Sequence, residues 1–255
     1  MKKTFLLSCL MLAAMPVMVA YTGHVYVDKN KNGVFDQSEK PLAGIKVSDG
    51  LNVVETAADG SFTLPGHERE RLIFITTPSG YKTFNRHYHK IEEKQSGYDF
   101  GLIPYSGRIR KDGSHRYIHI TDTEIFNTEN HADWVNNVHD YARNEQAAFI
   151  IHTGDICYEK GLKAHIKLMN TENMDCPVFY CIGNHDLVKG KYGEELFESI
   201  YGPVYYSFDA GNVHYVVTPM PGGDHAPGYT SDDVCRWLKN DLTHILSLIH
   251  ISEPT

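Results

Sequence analysis

The order of apolar segments in the second half of the chain constrains its fold most. Short apolar runs alternate there with amphipathic stretches, so that predicted strands cover 117–120, 147–152 and 177–182 and predicted helices cover 132–144 and 162–169. Alternating strands and helices form a parallel or mixed sheet, with ligand chemistry at the carboxyl ends of the strands. Residues 116–246 are therefore expected to form an α/β domain, a mixed β-sheet sandwich flanked by helices.

Two helical faces in this region are predicted to be buried. On the helix 132–144 the apolar face consists of Trp134, Val135, Val138 and Tyr141. A further capped helix is expected to start at Thr230 or Ser231, with Val234, Trp237, Leu238 and Leu242 as its buried stripe. A hairpin is expected between these helices, from two apolar runs that flank residues 209–212.

The first half has a different pattern. Between residues 21 and 107, short alternating runs are separated by turn residues, with predicted strands at 24–27, 45–47, 53–56, 61–64 and 72–75. Asp59-Gly60 is a hairpin signal between two of them. This spacing predicts an all-β, Ig-like sandwich that precedes the α/β domain.

A calcium-type loop lies near the start of this β region. Residues 28–39 match the pattern D-x-N-x-N-G, five residues, then E, which places oxygen ligands at alternate positions and Gly at a sharp turn. The predicted calcium ligands are Asp28, Asn30, Asn32, Val34, Asp36 and Glu39. A strand precedes the loop where an EF-hand has a helix, so it resembles the calcium loops of Cna-B-like and other bacterial β-sandwich domains. The alternative is a solvated polar turn.

Polar clusters follow each of the three predicted strands of the α/β domain. They are the segments 121–124, 154–158 and 183–186, which carry Asp122, Asp155 and Asn184. Phosphate-ester hydrolysis by two metals uses bridging and flanking carboxylates together with amide oxygens. Taken singly, the two aspartates could instead cap helices and the asparagine could occupy a turn. Residues 219–229 are expected to form an active-site loop.

In order and spacing, the three clusters resemble the first signature blocks of the calcineurin-like metallophosphoesterases, in particular the bacterial exported type with an N-terminal β-sandwich domain. The resemblance covers residues 116–241 and implies two divalent metals (Mn, Fe, Zn or Mg) and a phosphate mono- or diester substrate. It further implies that Asp122 binds one metal, Asn184 the other, and that Asp155 bridges them. His185 would contact the scissile phosphate or the leaving oxygen, and Asp186 would hold its ring.

Two departures from the family pattern affect this expectation. Glu124 stands where the family usually has His, and as an oxygen ligand it would move the preference toward manganese, magnesium or iron. Tyr158 is the competing candidate, because Gly-Asp-Ile-Cys-Tyr is similar to the block of purple acid phosphatases in which the tyrosine ligates iron. The sequence leaves open which of the two binds, or whether Tyr158 only packs beside the site.

The second departure is that the later histidine blocks of the family are not found. His214 falls inside a predicted strand, and His250 falls in residues 247–255, which are expected to be a non-native tail. We therefore expect the α/β domain to be incomplete at its C-terminus and this chain to have little activity. The alternative is an exported, calcium-stabilised binding module with a degenerate phosphoesterase domain.

Charge and the N-terminus bear on location and partners. Residues 1–20 combine Lys2 and Lys3 with an apolar run, which predicts a signal peptide and an exported protein, and no membrane-spanning segment is expected in the mature chain. The net charge of −8 becomes −10 without this leader, which removes two of 24 basic residues and none of 32 acidic ones. Nucleic-acid binding through a basic surface is excluded on this ground.

Overall fold

The structure is a computed structural model that describes residues 20–245 except 68, 85, 106 and 107. The predicted leader lies outside the described residues except for Ala20, and so does the predicted tail. Within the described ranges, none of the helices has the length and hydropathy of a membrane-spanning segment.

Two groups of elements follow one another along the chain. The strands of the first group are β1 (Ala20–Val27), β2 (Lys40–Pro41), β3 (Lys46–Ser48), β4 (Val53–Glu55), β5 (Ser61–Pro65), β6 (Leu72–Ile75), β7 (Tyr81–Thr83), β8 (Tyr88–Lys90) and β9 (Phe100–Pro104). The second group consists of β10 (Tyr117–Ile120), α1 (Ala132–Asn144), β11 (Phe149–His152), α2 (Tyr158–Leu168), β12 (Val178–Tyr180), a 3-10 turn (Asn184–Asp186), α3 (Glu195–Tyr201), β13 (Tyr206–Ala210), β14 (Val213–Val217) and α4 (Ser231–Leu242).

The N-terminal region is β-rich and contains two sheets. One has the order β2-β1-β9-β7, with β5 also paired to β1, and the other has the order β4-β3-β6-β8. Alternate side chains of both sheets meet in one core, where Val25 and Leu64 of the first sheet lie with Val47 and Ile73 of the second. The five predicted strands are present, and β2, β7, β8 and β9 are additional. The Ig-like assignment stays a prediction.

The second region is an α/β domain around three parallel strands in the order β10-β11-β12. Helices α1, α2 and α3 contribute to the apolar cluster on one face of this sheet. The β13–β14 hairpin packs on the other face, where the rings of Phe179 and Phe208 stack with centroids 3.6 Å apart. This order brings the carboxyl ends of β10, β11 and β12 to one edge of the sheet.

The two regions share part of a core and a strand contact. Residues of β6 and β8 join the cluster that contains Phe179, Phe208 and Trp237. Immediately after β6, Thr77 bridges to Phe208 of β13, and its carbonyl accepts the N–H of Asp209 at 2.8 Å. The β-rich region is therefore packed directly on the α/β domain.

Helix α1 is rotated relative to the predicted buried face. Val135 and Ala142 are buried, whereas Trp134 and Tyr141 are 40% and 60% exposed. Since 135 and 142 are seven positions apart, they define the inward stripe, and the two aromatic residues lie beside it. The prediction for Trp134 and Tyr141 was wrong.

Helix α4 begins as predicted and ends differently. Thr230 is its N-cap, and its side chain accepts the N–H of Asp233. Trp237 is buried as expected, but Leu242 is 42% exposed and Asp241 is buried in its place. The reason is that hydrogen bonds from β13 and β14 satisfy the carboxylate of Asp241 inside the protein.

Candidate metal centre

The polar clusters after β10, β11 and β12 are joined to one another by hydrogen bonds from backbone N–H groups. The N–H of Asp122 donates to the carbonyl of Gly154 at 3.1 Å. The N–H of His185 donates to Oδ1 of Asp155 at 3.1 Å. Parallel strands bring these loops to the same edge, and the two bonds fix their relative position.

The backbone of these loops adopts conformations that are costly for residues with a side chain. Positive φ angles occur at Asp122 (52°), Glu124 (45°), Asp155 (52°), Cys157 (76°) and Tyr158 (55°). A left-handed conformation at a non-glycine residue costs on the order of 1–3 kcal/mol and persists where surrounding structure imposes it, as in active sites. Five such residues in two adjacent loops point to a functional site.

Two glycines allow the loops to approach closely. A Cβ atom on Gly183 would lie 2.2 Å from both the backbone N and Oδ1 of Asp155. A Cβ on Gly154 would lie 2.5 Å from the backbone N of Gly183. Since real Cβ contacts are longer than this, only glycine fits at these positions.

Carboxylates dominate the electrostatics of the site. Burial raises the pKa of the Cys157 thiol to about 12, and the charges of Asp186, Glu124, Asp155 and Asp122 act in the same direction. Asp122 accepts a hydrogen bond from Thr121 Oγ1, and no lysine or arginine pairs with these carboxylates in the described part of the chain. An oxygen-rich, uncompensated donor set of this kind fits divalent cations.

Asp186 does not hold the ring of His185, contrary to the sequence-based expectation. It is fully buried, and its two oxygens accept the N–H of Cys157 at 2.8 Å and the N–H of Gly183 at 2.9 Å. Burial raises the pKa of Asp186, and these backbone hydrogen bonds oppose that shift. Because Asp186 is the last residue of the short 3-10 turn, its side chain folds back onto the backbone and joins two loops.

The ring of His185 is instead held by Asp224. Nδ1 of His185 lies 2.9 Å from Oδ2 of Asp224, and this hydrogen bond is the main cause of the raised pKa of His185. The backbone N–H of Asp224 donates to the carbonyl of Asn184 at 3.1 Å. Sequence reasoning identified the loop 219–229 but missed the role of Asp224.

Glu124 and Tyr158 both lie at the site. Glu124 is exposed and is one of the carboxylates that act on Cys157. Tyr158 begins α2, is 52% exposed, and its ring centroid lies 5.6 Å from that of His185. Metal ligation by either residue stays a prediction.

Comparison with known families matches both regions. Residues 115–246 match the family described as Calcineurin-like phosphoesterase, and residues 29–104 match the N terminal of Calcineurin-like phosphoesterase. The chain belongs to the calcineurin-like phosphoesterases. Membership implies divalent metal ions, a phosphate-ester substrate and metal-dependent hydrolysis of that ester. Among curated proteins, no significant match was found.

In this phosphoesterase the calcium-type loop is compact. Asp28 and Glu39 are 1% and 7% exposed. Asp28 accepts the N–H groups of Asn32 and Gly33, and Glu39 accepts those of Lys29 and Asp36. The amides of Asn30 and Asn32 both donate to Oδ2 of Asp36. The side chains of five of the six predicted ligands thus take part in hydrogen bonds within the loop. Val34 would contribute only its carbonyl.

A group of potential metal ligands lies in the β-rich region, away from the strand ends. Ligand atoms of Asp49, His67 and Glu70 in the β-rich region all lie within 4.8 Å of one another. Asp49 already accepts the N–H groups of residues 51 and 52, and Glu70 accepts the hydroxyl of Tyr21 and the N–H of His67. These hydrogen bonds describe a structural network and compete with metal binding.

Proposed function

We propose that this phosphoesterase hydrolyses phosphate mono- or diesters at a dinuclear metal site in which Asp122 and Asn184 bind the two metals and Asp155 bridges them. The observation that carries the proposal is the convergence of three polar strand-end loops, joined by direct hydrogen bonds and held in strained conformations, in a chain of this family.

The bound metals would supply a strong oxygen nucleophile at neutral pH and neutralise the non-bridging phosphate oxygens. Asp155 is oriented for this role because its Oδ1 is anchored by the N–H of His185. Asp186 ties the loop of Cys157 to that of Gly183 and so keeps Asp155 and Asn184 in register.

His185 would stabilise or protonate the leaving oxygen. Its Nδ1 is engaged by Asp224, which leaves Nε2 for the substrate and favours the protonated ring. The side chains of His185 and Asp224 are each 39% exposed, so that an ester can reach the ring from solvent.

Manganese, iron, zinc and magnesium are the candidate metals, with Glu124 or Tyr158 as a further ligand. Glu124→Ala and Tyr158→Phe each remove the donor oxygen of one candidate ligand, whereas glutamine at position 124 would keep an amide oxygen that can bind a metal. Metal content measured on both purified variants distinguishes the two positions, since only loss of the true ligand lowers the metal-to-protein ratio.

We propose that this chain itself has only low activity, so the direct experiment is a sensitive assay with manganese against aryl phosphate mono- and diesters. We expect Asp155→Ala to lower kcat/KM by at least about 100-fold, because loss of a bridging ligand removes transition-state stabilisation at both metals. Asp232→Ala, an exposed acid in the first turn of α4, is the matched control. An Asp155→Ala variant with the wild-type kcat/KM would contradict the proposed mechanism.

We also propose that the loop of residues 28–39 binds calcium and stiffens the β-rich region. Its support is the ligand pattern together with two buried carboxylates that meet only uncharged donors in the loop. The role of this calcium is structural, since the loop connects β1 to β2 and does not lie at the strand ends of the α/β domain.

Export is proposed from the signal-peptide pattern of residues 1–20. N-terminal sequencing of the protein from its native host tests it. A mature chain that begins at Tyr21 supports export, and a chain that retains Met1 contradicts it.

A further inference from the structure

Arg71 connects the β-rich region to the α/β domain. It directly precedes β6, and its Nη2 lies 2.7 Å from Oε1 of Glu194 and 2.8 Å from Oε1 of Glu198. The guanidinium also stacks over the ring of Tyr192 at 4.2 Å. Glu194 is fully buried and Glu198 is 7% exposed, so both carboxylates that pair with Arg71 are buried.

Glu194 in turn anchors the active-site loop. Its Oε1 and Oε2 accept the N–H of Gly228 at 3.1 and 2.9 Å. The same loop carries Asp224, which bonds the ring of His185 and the carbonyl of Asn184. A path of direct contacts thus runs from Arg71 through Glu194 and the loop to His185.

The loop is packed tightly between these two anchors. A Cβ on Gly223 would lie 2.3 Å from the carbonyl oxygen of Asn184, and a Cβ on Gly228 would lie 2.9 Å from Nη1 of Arg71. The loop therefore has little room to shift at either anchor.

The charge of Arg71 is needed for this arrangement. A buried carboxylate is costly without a cation, and removal of one partner of a buried pair leaves the other charge uncompensated. Burial raises the pKa of Glu198, and Arg71 opposes that shift. A charged acceptor also makes a stronger hydrogen bond to a backbone N–H than a neutral one does.

We infer that the β-rich region is part of the active-site scaffold. In this inference Arg71 is a positioning residue, which orients Asp224 and His185 through Glu194 and the loop 219–229. The catalytic half of this inference rests on the proposed function of His185. The mechanical half, the anchoring of the loop, is independent of it.

Hydrogen–deuterium exchange of the full chain tests the anchoring without any assay of activity. Arg71→Met is expected to raise the exchange rate of the peptide that spans 219–229 about tenfold, because Glu194, which accepts the N–H of Gly228, loses its cation. Glu194→Ala, which leaves Arg71 paired with Glu198, is expected to do the same and serves if Arg71→Met fails to fold. Exchange in the peptide of β10–β12 stays unchanged.

The matched control is Lys46→Met, which removes a different contact between the two regions. Nζ of Lys46 in β3 lies 3.9 Å from Oδ2 of Asp209 in β13, away from the loop. Loop exchange that stays at the wild-type rate in Arg71→Met and Glu194→Ala, or that rises equally in Lys46→Met, overturns the inference.

A double-mutant cycle tests the catalytic half. Arg71→Met and Asp224→Asn are each expected to lower kcat about tenfold, a part of the 10²–10⁴ that general acid catalysis supplies. The double variant is expected to be no slower than Asp224→Asn alone, because both changes act through the ring of His185. Arg71→Lys is expected to keep most of the wild-type kcat, because it retains the positive charge. A double variant whose kcat falls by the product of the two single factors contradicts the catalytic half of the inference. Wild-type activity that does not fall in Asp155→Ala contradicts the proposed function, while the exchange result still decides the anchoring.

Discussion

At the residue scale, the site is built from side chains that stand on strained backbone. Asp122, Glu124 and Asp155 all have positive φ angles, and the loops that carry them are held by hydrogen bonds to Gly154 and His185. The surrounding contacts therefore fix the backbone of these loops before any metal binds. Such preorganisation is what a bridged pair of metals requires.

Gly183→Ala tests this preorganisation. Its Cβ would lie 2.2 Å from Oδ1 of Asp155, so we expect the carboxylate to be displaced, with metal affinity and kcat/KM lowered by at least about tenfold, as for other changes that misplace ligands. Gly222→Ala is the control, since nothing lies within 4 Å of its Cβ and its φ is not positive. Metal binding measured by calorimetry that is equal in both variants contradicts the account.

The contrast between Asp186 and Asp224 shows where residue-scale inference from sequence ends. The three strand-end clusters were predictable because each follows an apolar run. Which carboxylate reaches the ring of His185 was not, since Asp224 is 39 positions away and its approach depends on the path of a loop. The positive φ angles were equally hidden, because none of these residues is a glycine.

At the element scale, a chain of polar contacts joins Thr76, the residue that follows β6, to β13, β14 and α4. The ring of His214 lies between Asp209 at 2.6 Å and Asp241 at 2.8 Å, Asp241 accepts the hydroxyl of Ser207, and Ser207 contacts Thr76 at 2.9 Å. Burial lowers the pKa of His214, but the hydrogen bonds to both carboxylates outweigh burial and raise it to about 9.

The hydrogen bonds of His214 to Asp209 and Asp241 predict that the stability of the protein depends on pH. The pKa of His214 in the folded state lies above the ordinary value of 6.5, so its stabilisation is complete below pH 6.5 and is lost as pH rises through 9. We expect His214→Gln to lower the free energy of unfolding by about 1–3 kcal/mol more at pH 6 than at pH 10. Urea titrations at both pH values measure the difference, and an equal loss at both rules out the charged pair.

The element scale was also where sequence patterns were most informative. The helices α1 and α4 were predicted within a few residues because their apolar periods extend over many positions, and the parallel strands because each is part of a short apolar run. The strands β2, β7 and β8 have only two or three residues and contain no apolar run. The exposed Trp134 and Tyr141 show that a periodic pattern fixes a helix better than it fixes its rotation.

At the scale of the whole molecule, the two regions behave as parts of one scaffold. They share an apolar cluster, a strand contact at Thr77 and the ion pairs of Arg71. Calcium that stiffens the β-rich region is therefore expected to raise the stability of the whole chain.

Calcium at 10 mM is expected to stabilise the protein by about 1–3 kcal/mol, if the loop has the affinity usual for extracellular modules. Thermal unfolding in calcium and in EGTA measures the shift of Tm. Asp36→Ala, which removes the ligand oxygens, should abolish the shift, whereas Asp59→Ala, a change in another exposed turn of the region, should keep it. A shift that survives Asp36→Ala places the calcium elsewhere.

The proposed metal centre lies at the strand ends of the α/β domain. Anomalous diffraction from crystals grown with manganese tests this proposal directly. We expect density beside Asp155 in contact with Asp122 and Asn184. Density only at Asp49, His67 and Glu70, or none at Asp155, would contradict it.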